Sequence, residues 1–199
     1  TRVRLILAAE EVFGEFGIEA ASLRAICVAA GQKNISSVQY HFGNKYALFS
    51  AVLDYREQQI EPVRQTKLSE IQAIRHPDVR MLLRVLFEPY AQVYLEGENI
   101  NFIKMMSSYV NLVRPRGLFL HPADYQDQSY PSLRETMALL IRLLSFLDEA
   151  QSSRRLNTVG SMFWGALIQL SLAKGLSKRR KYIAFEDTLE MMGAAISAP

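Results

Sequence analysis

The spacing of apolar residues constrains the fold of this 199-residue chain more than any other feature of its sequence. Apolar side chains recur at every third or fourth position in most segments, which places them on one face of an α-helix. A half-buried β-strand would need apolar and polar residues to alternate, and no alternating run rivals the helical patterns. Because 49% of the residues are apolar, the helices can share a sizeable core. The sequence therefore predicts an all-α protein of about nine helices.

Glycines and capping residues divide the N-terminal quarter of the chain into short helices. The first helix is predicted over residues 1–16, with Phe16 as the last member of its apolar face and Gly17 as a left-handed C-cap. Ser22 has the side chain and the position of an N-cap for a second helix, which ends at Gly31. A turn and a third short helix follow. Together they form the pattern of a helix-turn-helix unit.

The second and third helices carry side chains suited to different tasks. The small residues that would let the second helix cross its neighbour closely are Cys27, Ala29 and Ala30. The third helix is predicted over residues 36–42, and Val38 and Phe42 lie one turn apart on its inner side. Its other side chains are mostly polar, as expected of a recognition helix that enters the major groove of DNA.

Charge is distributed unevenly along the chain, although the net charge is only +3. No acidic residue lies between Glu19 and Asp54, whereas Arg24, Lys33 and Lys45 all lie there. Such a stretch is what a surface facing an anion requires, unless these short helices are poor in acidic residues by chance. Lys45 also lies in the first turn of the predicted fourth helix, where free backbone N–H groups favour an anion.

The outward residues of the third helix have the chemistry needed to contact a duplex. Gln39 can make a bidentate pair with an adenine edge, and Tyr40 can reach a thymine methyl group or a phosphate. The side chains of Ser36, Ser37 and His41 can donate hydrogen bonds to phosphate oxygens. The third helix is therefore expected to contact both the bases and the backbone of DNA.

Some of these residues also fit ordinary structural roles. Tyr40 can cover the core with its hydroxyl group in water, and Arg24 can pair with a carboxylate of the first helix instead of a phosphate. Ser36 and Ser37 can serve only to cap the third helix. His41 has no second histidine or carboxylate at ligand spacing, so no metal site is expected.

The stretch TRVRLILAAEEVFGEFGIEAASLRAICVAAGQKNISSVQYHFGNKYALF resembles the N-terminal domain of the TetR family of bacterial transcriptional regulators. Its glycines, capping residues, aromatic residues and closing lysine lie where the family has them. The resemblance implies a helix-turn-helix DNA-binding domain at residues 1–45. A long fourth helix would join this domain to a ligand-binding and dimerisation bundle at residues 46–199. Beyond the first quarter of the chain the likeness is architectural only.

Two departures from the family pattern affect the predicted DNA contacts. One extra residue lies between Gly31 and Phe42, which leaves open whether Lys33 and Asn34 touch bases, phosphates or only water. Gln39 stands where a tyrosine usually follows the hydrophobic anchor. The residues expected to contact DNA are Arg2, Ser22, Arg24, Lys33, Asn34, Ser36, Ser37, Gln39, Tyr40, His41 and Lys45.

Capping residues also predict where the later helices begin. Asn44 is expected to open a long fourth helix that continues past Pro62, and Asp78 is expected to open a fifth. Ser132 and Glu135 have the spacing of a capping box, which predicts the start of another helix.

Aromatic and methionine residues are more frequent in the C-terminal helices than in an average helical core. Flat rings and unbranched methionines suit a cavity that adapts to an apolar guest, although ordinary core packing explains them as well. The residues expected to bind a small apolar or amphipathic effector are Phe87, Tyr90, Tyr94, Phe102, Met105, Met106, Tyr109, Met137, Ile141, Leu144, Phe163 and Trp164.

The last two helices, predicted over residues 154–173 and 185–198, are apolar around most of their circumference. They also carry small residues, which are Gly160, Gly165, Ala166, Gly193, Ala194 and Ala195. This composition favours an isologous interface between two copies of the chain, with burial inside one chain as the competing explanation. The basic stretch 174–181 between them is interpreted as a solvated loop, or else as a second contact to DNA or a membrane.

Several classes of function lack support in this sequence. No phosphate-binding loop, zinc motif or nucleophile–base pair is present, so neither an enzyme nor a bound cofactor is expected. The single Cys27 excludes an internal disulfide and is expected to fill the core. Apolar runs are too short to span a membrane, which predicts a soluble, cytoplasmic protein.

The resemblance implies a homodimeric, ligand-responsive DNA-binding regulator. It would be a repressor that binds a pseudo-palindromic operator and is released by a small apolar or amphipathic effector. The competing hypothesis is a helical lipid carrier or enzyme in which the N-terminal module, residues 1–45, is a cap that does not bind DNA.

Overall fold

The computed structural model describes residues 1–32, 34–95, 100–113 and 130–198. Within these ranges the chain forms nine α-helices and no strand, which confirms the predicted all-α class. The helices are α1 (Arg2–Ala20), α2 (Leu23–Ala29), α3 (Ser36–Phe42), α4 (Lys45–Gln72), α5 (Val79–Tyr94), α6 (Asn101–Ser108), α7 (Pro131–Leu143), α8 (Glu149–Leu172) and α9 (Lys178–Ser197). A short π-helical segment, Tyr109–Val113, extends α6. None of the described helices is long and apolar enough to cross a bilayer.

Helix α1 lies at the centre of the N-terminal module and differs in two ways from its prediction. The chain breaks helical geometry at Gly17 (φ 78°, ψ 162°) but then completes another turn to Ala20 instead of ending. Phe16 was expected to be buried, yet 56% of its surface is exposed, so that prediction was wrong. Because the break at Gly17 redirects the chain, Ile18 enters the core instead.

Helix α2 is short and opens with the predicted cap. The Ser22 hydroxyl oxygen accepts a hydrogen bond from the Ala25 backbone N–H at 3.1 Å, which satisfies one free donor of the first turn. Cys27 and Ala30 are buried as predicted, whereas Ala29 is exposed. Helix α2 has only seven residues, so it buries a single narrow face against α1 and α3, and Ala29 lies outside that face.

Helix α4 connects the N-terminal module to the remaining helices. The Asn44 side chain accepts from the Ala47 N–H at 2.8 Å and caps the helix, which then runs through Pro62 without a break. Asp78 caps α5 in the same way, accepting from the Met81 N–H at 2.9 Å. Both predicted caps are confirmed. Along its length α4 packs against α1, α3, α5 and α7, so it contacts both the N-terminal and the C-terminal helices.

The prediction of a capping box at the start of α7 was wrong. This helix begins at Pro131 without a side-chain cap of its own, and the Ser132 backbone N–H instead donates to the Glu61 carboxylate at 2.7 Å. The free backbone N–H of Ser132 was expected to donate to the Glu135 side chain. It donates to a carboxylate of α4 instead. The capping box lies later in the chain, where Asp148 and the side chain at position 151 open α8.

The basic stretch 174–181 is not a loop along its whole length. Ser177 caps α9 by accepting from the Arg180 N–H at 3.4 Å, and residues 178–181 form the first turn of that helix. The serine is a good N-cap, so the helix begins seven residues earlier than its apolar pattern at Phe185 indicates.

The buried apolar residues of all nine helices belong to one continuous cluster, from Leu5 in α1 to Ile196 in α9. Helix α1 approaches α6 closely because position 14 is a glycine. A Cβ atom added at Gly14 would lie 2.6 Å from the Asn101 carbonyl oxygen. The N-terminal module is thus packed directly on the C-terminal helices, and it also shares α4 with them.

Candidate nucleic-acid interface and effector core

Helix α3 has the predicted bounds and the predicted division between a buried side and an exposed side. Val38 is completely buried (0% exposed) and anchors the helix. Tyr40 is 86% exposed, which excludes a role in covering the core, and Gln39 is exposed beside it. The Tyr40 and His41 rings meet edge to face, with centroids 5.0 Å apart. The exposed side of α3 thus consists of groups able to donate and accept hydrogen bonds.

The turn before α3 is organised by Asn34. Its side-chain oxygen accepts from the Ser36 backbone N–H at 3.0 Å and from the Ser36 hydroxyl at 2.9 Å. The Cys27 thiol donates to the Asn34 carbonyl oxygen at 3.6 Å, and burial raises the pKa of this thiol, so it stays neutral. Asn34 therefore stabilises the turn that leads into α3. Lys33 lies outside the described residues.

Two arginines of the N-terminal helices, one in α1 and one in α2, were predicted to contact DNA. The Arg2 guanidinium lies over the Phe42 ring, with its central carbon 5.2 Å from the ring centroid, and so supports the half-buried end of α3. Arg24 is exposed, and no carboxylate of the described residues forms an ion pair with it. The alternative pairing of Arg24 with a carboxylate of α1 is therefore not observed.

Lys45 has a structural role that the sequence did not indicate. Its ammonium group donates to the carbonyl oxygens of Glu19 (2.8 Å) and Ala21 (3.4 Å), which ties the end of α1 to the start of α4. The neighbouring Tyr46 hydroxyl donates to the Glu19 carboxylate at 2.7 Å, and this hydrogen bond raises the pKa of Tyr46. An ammonium group has three donors, and these two hydrogen bonds occupy two of them.

Ten of the twelve residues predicted to bind an effector are buried in the C-terminal helices; they are Phe87, Tyr90, Tyr94, Phe102, Met105, Tyr109, Met137, Leu144, Phe163 and Trp164. Many of their rings touch. Tyr94 stacks on Phe102 with centroids 5.2 Å apart, and Tyr90 meets Trp164 edge to face at 5.2 Å. Six of the predicted residues form one aromatic cluster, which consists of Phe87, Tyr90, Tyr94, Phe102, Phe163 and Trp164. Met106 is half-buried, and Ile141 is 53% exposed on α7, outside the cluster.

Comparison with known proteins identifies the N-terminal helices. Residues 5–52 match the family described as bacterial regulatory proteins, tetR family. The N-terminal module is a TetR-family domain. No curated protein matches the chain.

Solved structures of regulators, two of them described as TetR-family transcriptional regulators, share the fold of the whole chain. The regulator PfmR from Thermus thermophilus is 19% identical with a TM-score of 0.52, and the match covers 100% of this chain and 97% of that one. FadR from Bacillus halodurans, a fatty acid degradation regulator, is 13% identical with a TM-score of 0.50 and full coverage of both chains. CifR, in complex with operator DNA, is 20% identical with a TM-score of 0.50, covering 98% of this chain and 95% of that one.

Helix α4 carries buried charges after residue 52 that were not predicted from the sequence. Arg64 is completely buried (0% exposed) and forms ion pairs with Glu57 and Glu61, both at 2.9 Å. The Tyr90 hydroxyl donates to Glu57. Burial alone would lower the pKa of Arg64, but the interactions with Glu57, Tyr90 and Glu61 together outweigh it, and the pKa lies above the usual value. The spacing could have indicated this ion-paired group from the sequence. Glu61 and Glu57 lie three and seven residues before Arg64, which places both on the same face of the helix.

A second buried ion pair joins α4 to the TetR-family domain. The Arg56 guanidinium donates to both carboxylate oxygens of Glu10 in α1, at 2.6 and 2.7 Å, and the Glu10 side chain is almost inaccessible. Bidentate pairs of this kind fix orientation as well as distance. In the described residues no group of three or more histidine, cysteine or acidic side chains could hold a metal ion.

A third charged group links α4, α5 and α9. The Glu88 carboxylate accepts from Lys67 at 2.9 Å and from the Tyr182 hydroxyl at 2.5 Å. Burial alone would raise the pKa of Glu88, but these two donors together outweigh it and the pKa lies below its usual range. Glu88 therefore stays ionised and holds three helices of the bundle together.

Proposed function

We propose that this chain is a ligand-responsive transcriptional repressor that binds a pseudo-palindromic operator as a homodimer. The observation that carries the proposal is the geometry of α3, where the buried Val38 holds the helix while Gln39 and Tyr40 face outward. These side chains belong to a TetR-family domain and to a stretch without acidic residues. A surface of that kind suits the major groove of DNA.

The roles of the individual side chains follow from their positions. Gln39 would contact a base edge, because it is exposed on the outer side of the recognition helix. Arg24 is exposed without a carboxylate partner among the described residues, so it is available for a phosphate. Lys45 would contact a phosphate through its remaining N–H, while Arg2 and Asn34 support the recognition helix from its two ends.

The dimer interface would be formed by α8 and α9. A Cβ atom added at Gly165 would meet no other atom within 4 Å. Leu172 lies two turns further along the same face of α8 and is exposed. On α9, Ile183 and Met191 are exposed at a spacing of eight residues, which places both on one face. Gly193 does not belong to this surface, because a Cβ atom there would lie 2.6 Å from the Arg80 side chain of the same chain. A four-helix interface built from these stripes would be isologous.

The aromatic cluster would bind a small apolar or amphipathic effector. Changes there can reach the DNA-binding helices by two routes: the close contact of α6 with Gly14, and the ion pair of Glu10 with Arg56 on α4. To release almost all bound DNA, the effector would need to prefer the unbound arrangement by about 5.5 kcal/mol. A regulator of this kind acts in the cytoplasm, beside the chromosome, and needs neither enzymatic activity nor a cofactor.

Retardation of DNA fragments by the purified protein tests this proposal. Fragments from the DNA next to the gene should bind better than random DNA of equal length, and binding should fall steeply as salt rises. If no neighbouring fragment exceeds random DNA at moderate salt, the regulator is rejected. In that case the competing hypothesis, a helical lipid carrier or enzyme with an N-terminal cap, gains support.

A further inference from the structure

Arg64 is the most deeply buried charged side chain of the described residues. Only one of its three guanidinium nitrogen atoms has a hydrogen-bond partner among those residues. Its Nη1 atom donates to both Glu57 and Glu61, at 2.9 Å each. The Nε and Nη2 atoms are buried, and neither has a hydrogen-bond partner in the part of the chain that the structure describes. Buried donors are almost always paired in proteins, because leaving them unpaired is costly. The open side of this guanidinium therefore needs an acceptor.

The geometry of a guanidinium group limits what this acceptor can be. The Nε–H bond and one Nη2–H bond point in the same direction and form a planar fork. Such a fork fits one shared oxygen atom or two oxygen atoms side by side. A cation cannot accept these hydrogen bonds, and a hydrocarbon has no acceptor at all.

The net charge of Arg64 and its two carboxylate partners further limits which acceptor can bind. Glu57 and Glu61 carry two negative charges around the single positive charge of Arg64. Their remaining oxygens are already occupied, by the Tyr90 hydroxyl and by the Ser132 backbone N–H. The group is therefore negative overall, and in a buried setting a third carboxylate would be repelled. A neutral oxygen acceptor adds no charge.

The surroundings of Arg64 suit a molecule that is otherwise apolar. The Tyr90 ring lies against the guanidinium, with its centroid 5.5 Å from the central carbon. The other ring neighbours of Tyr90 include Trp164 at 5.2 Å and Phe102 at 6.5 Å. The Tyr94 hydroxyl, one turn further along α5, is also buried without a hydrogen-bond partner among the described residues. The Tyr90 ring thus connects the unused donors of Arg64 to apolar rings of the aromatic cluster.

We propose that Arg64 donates hydrogen bonds from Nε and Nη2 to the polar end of the effector. This end is a neutral oxygen acceptor such as a ketone, ester, amide or lactone carbonyl. The apolar remainder of the effector lies against the aromatic cluster. The term effector rests on the proposed function, but the binding site itself does not depend on DNA recognition.

Calorimetric titration of the full chain with three probes of equal chain length tests the proposal. The probes are octan-2-one, octanoate and octylammonium at neutral pH. We expect octan-2-one to bind at least about tenfold more tightly than either ion, because it alone accepts hydrogen bonds without adding charge. Tightest binding by octanoate or octylammonium would overturn the assignment of a neutral acceptor.

Two variants test whether Arg64 makes the contact. Arg64→Lys keeps the charge beside Glu57 and Glu61 but removes the fork, so the affinity for octan-2-one should fall by about tenfold or more. Arg84→Lys is the control, because Arg84 pairs with Glu186 at 2.5 Å and 40% of its side chain is exposed, so it should leave probe affinity unchanged. Equal affinity of Arg64→Lys and the parent protein would overturn the proposal.

A third variant covers the case in which Arg64→Lys does not fold. Glu61→Gln removes one negative charge while keeping an acceptor oxygen, so octanoate should gain affinity relative to octan-2-one. An unchanged ratio of the affinities for octanoate and octan-2-one would contradict the charge argument.

If no probe binds while the protein still retards DNA, the Arg64 site is overturned and the regulator stands. If octan-2-one binds through Arg64 but no DNA is retarded, the regulator fails and the site stands.

Discussion

At the scale of single residues, neighbouring positions on α3 have opposite environments. Val38 is completely enclosed, whereas Tyr40, two positions later, is almost fully exposed. A tyrosine ring left in water on a short helix gains nothing from the core, so its position is better explained by contact with another molecule. Gln39 lies between them and also faces solvent.

Replacing Gln39 by alanine tests its assignment to a base. We expect Gln39→Ala to weaken operator binding by about 1–3 kcal/mol and to relax the preference at one base pair, because a bidentate contact discriminates between bases. Binding should be measured on a panel of operators with each position changed in turn. Equal losses on every operator would show that Gln39 contacts the backbone instead.

Lys45 combines a structural contact with the proposed contact to phosphate. Its bonds to the Glu19 and Ala21 carbonyl oxygens hold the ends of α1 and α4 together. We expect Lys45→Ala to weaken binding to all DNA sequences alike and to reduce the salt dependence by about one counterion. A thermal melt of the same variant separates this effect from loss of the fold. A loss confined to one operator sequence would contradict the phosphate role.

At the scale of helices, α3 is held in place by very few contacts. It has seven residues and one completely buried side chain, so its position depends on Val38 more than on its own helical propensity. Val38→Ala should therefore destabilise the protein by roughly 1–3 kcal/mol.

The exposed neighbour of Val38 provides the matched control for this stability change. Tyr40→Ala should alter stability by less than about 0.5 kcal/mol while weakening DNA binding. Urea unfolding and DNA retardation should be measured on both variants. A Tyr40→Ala protein as unstable as Val38→Ala would mean that the tyrosine ring belongs to the core.

Several features of the fold that depend on neighbouring residues could be predicted from the sequence. The caps at Ser22, Asn44 and Asp78 each involve a donor three residues away, and all three were predicted. The bounds of α3 were also predicted, because residues 36–42 have an apolar anchor at each turn and a glycine after the last residue.

Features that depend on distant residues could not be predicted in this way. The first turn of α7 is satisfied by Glu61, which lies 71 residues before Ser132, so a local capping box gave the wrong partner. The same applies to the aromatic cluster, where spacing alone did not show that Ile141 faces solvent on α7. Arg64 was missed for a different reason, since charges on a helix usually face water.

At the scale of the whole molecule, the proposed regulator needs two copies of the chain. Ile183 on α9 is exposed in the stripe assigned to the dimer interface. We expect Ile183→Asp to produce monomers, because a buried pair of carboxylates related by the two-fold axis would be strongly unfavourable. Light scattering during size-exclusion chromatography gives the mass directly.

A matched control for this change lies near the end of α7. Phe146 is also exposed and apolar but is not part of the α8 and α9 stripes. Phe146→Asp should therefore remain dimeric. If Phe146→Asp dissociates and Ile183→Asp does not, the interface has been assigned to the wrong helices.

Footprinting of the protein on the fragment that it retards most tests the central claim most directly, because it reports DNA recognition and two-fold symmetry together. A dimer that presents two copies of α3 should protect two half-sites on one face of the duplex, related by an approximate inverted repeat. Their centres should lie about 34–36 Å apart or at a multiple of that distance, since each recognition helix enters a major groove. A single protected site without symmetry, or no protection at all, would contradict the proposed repressor.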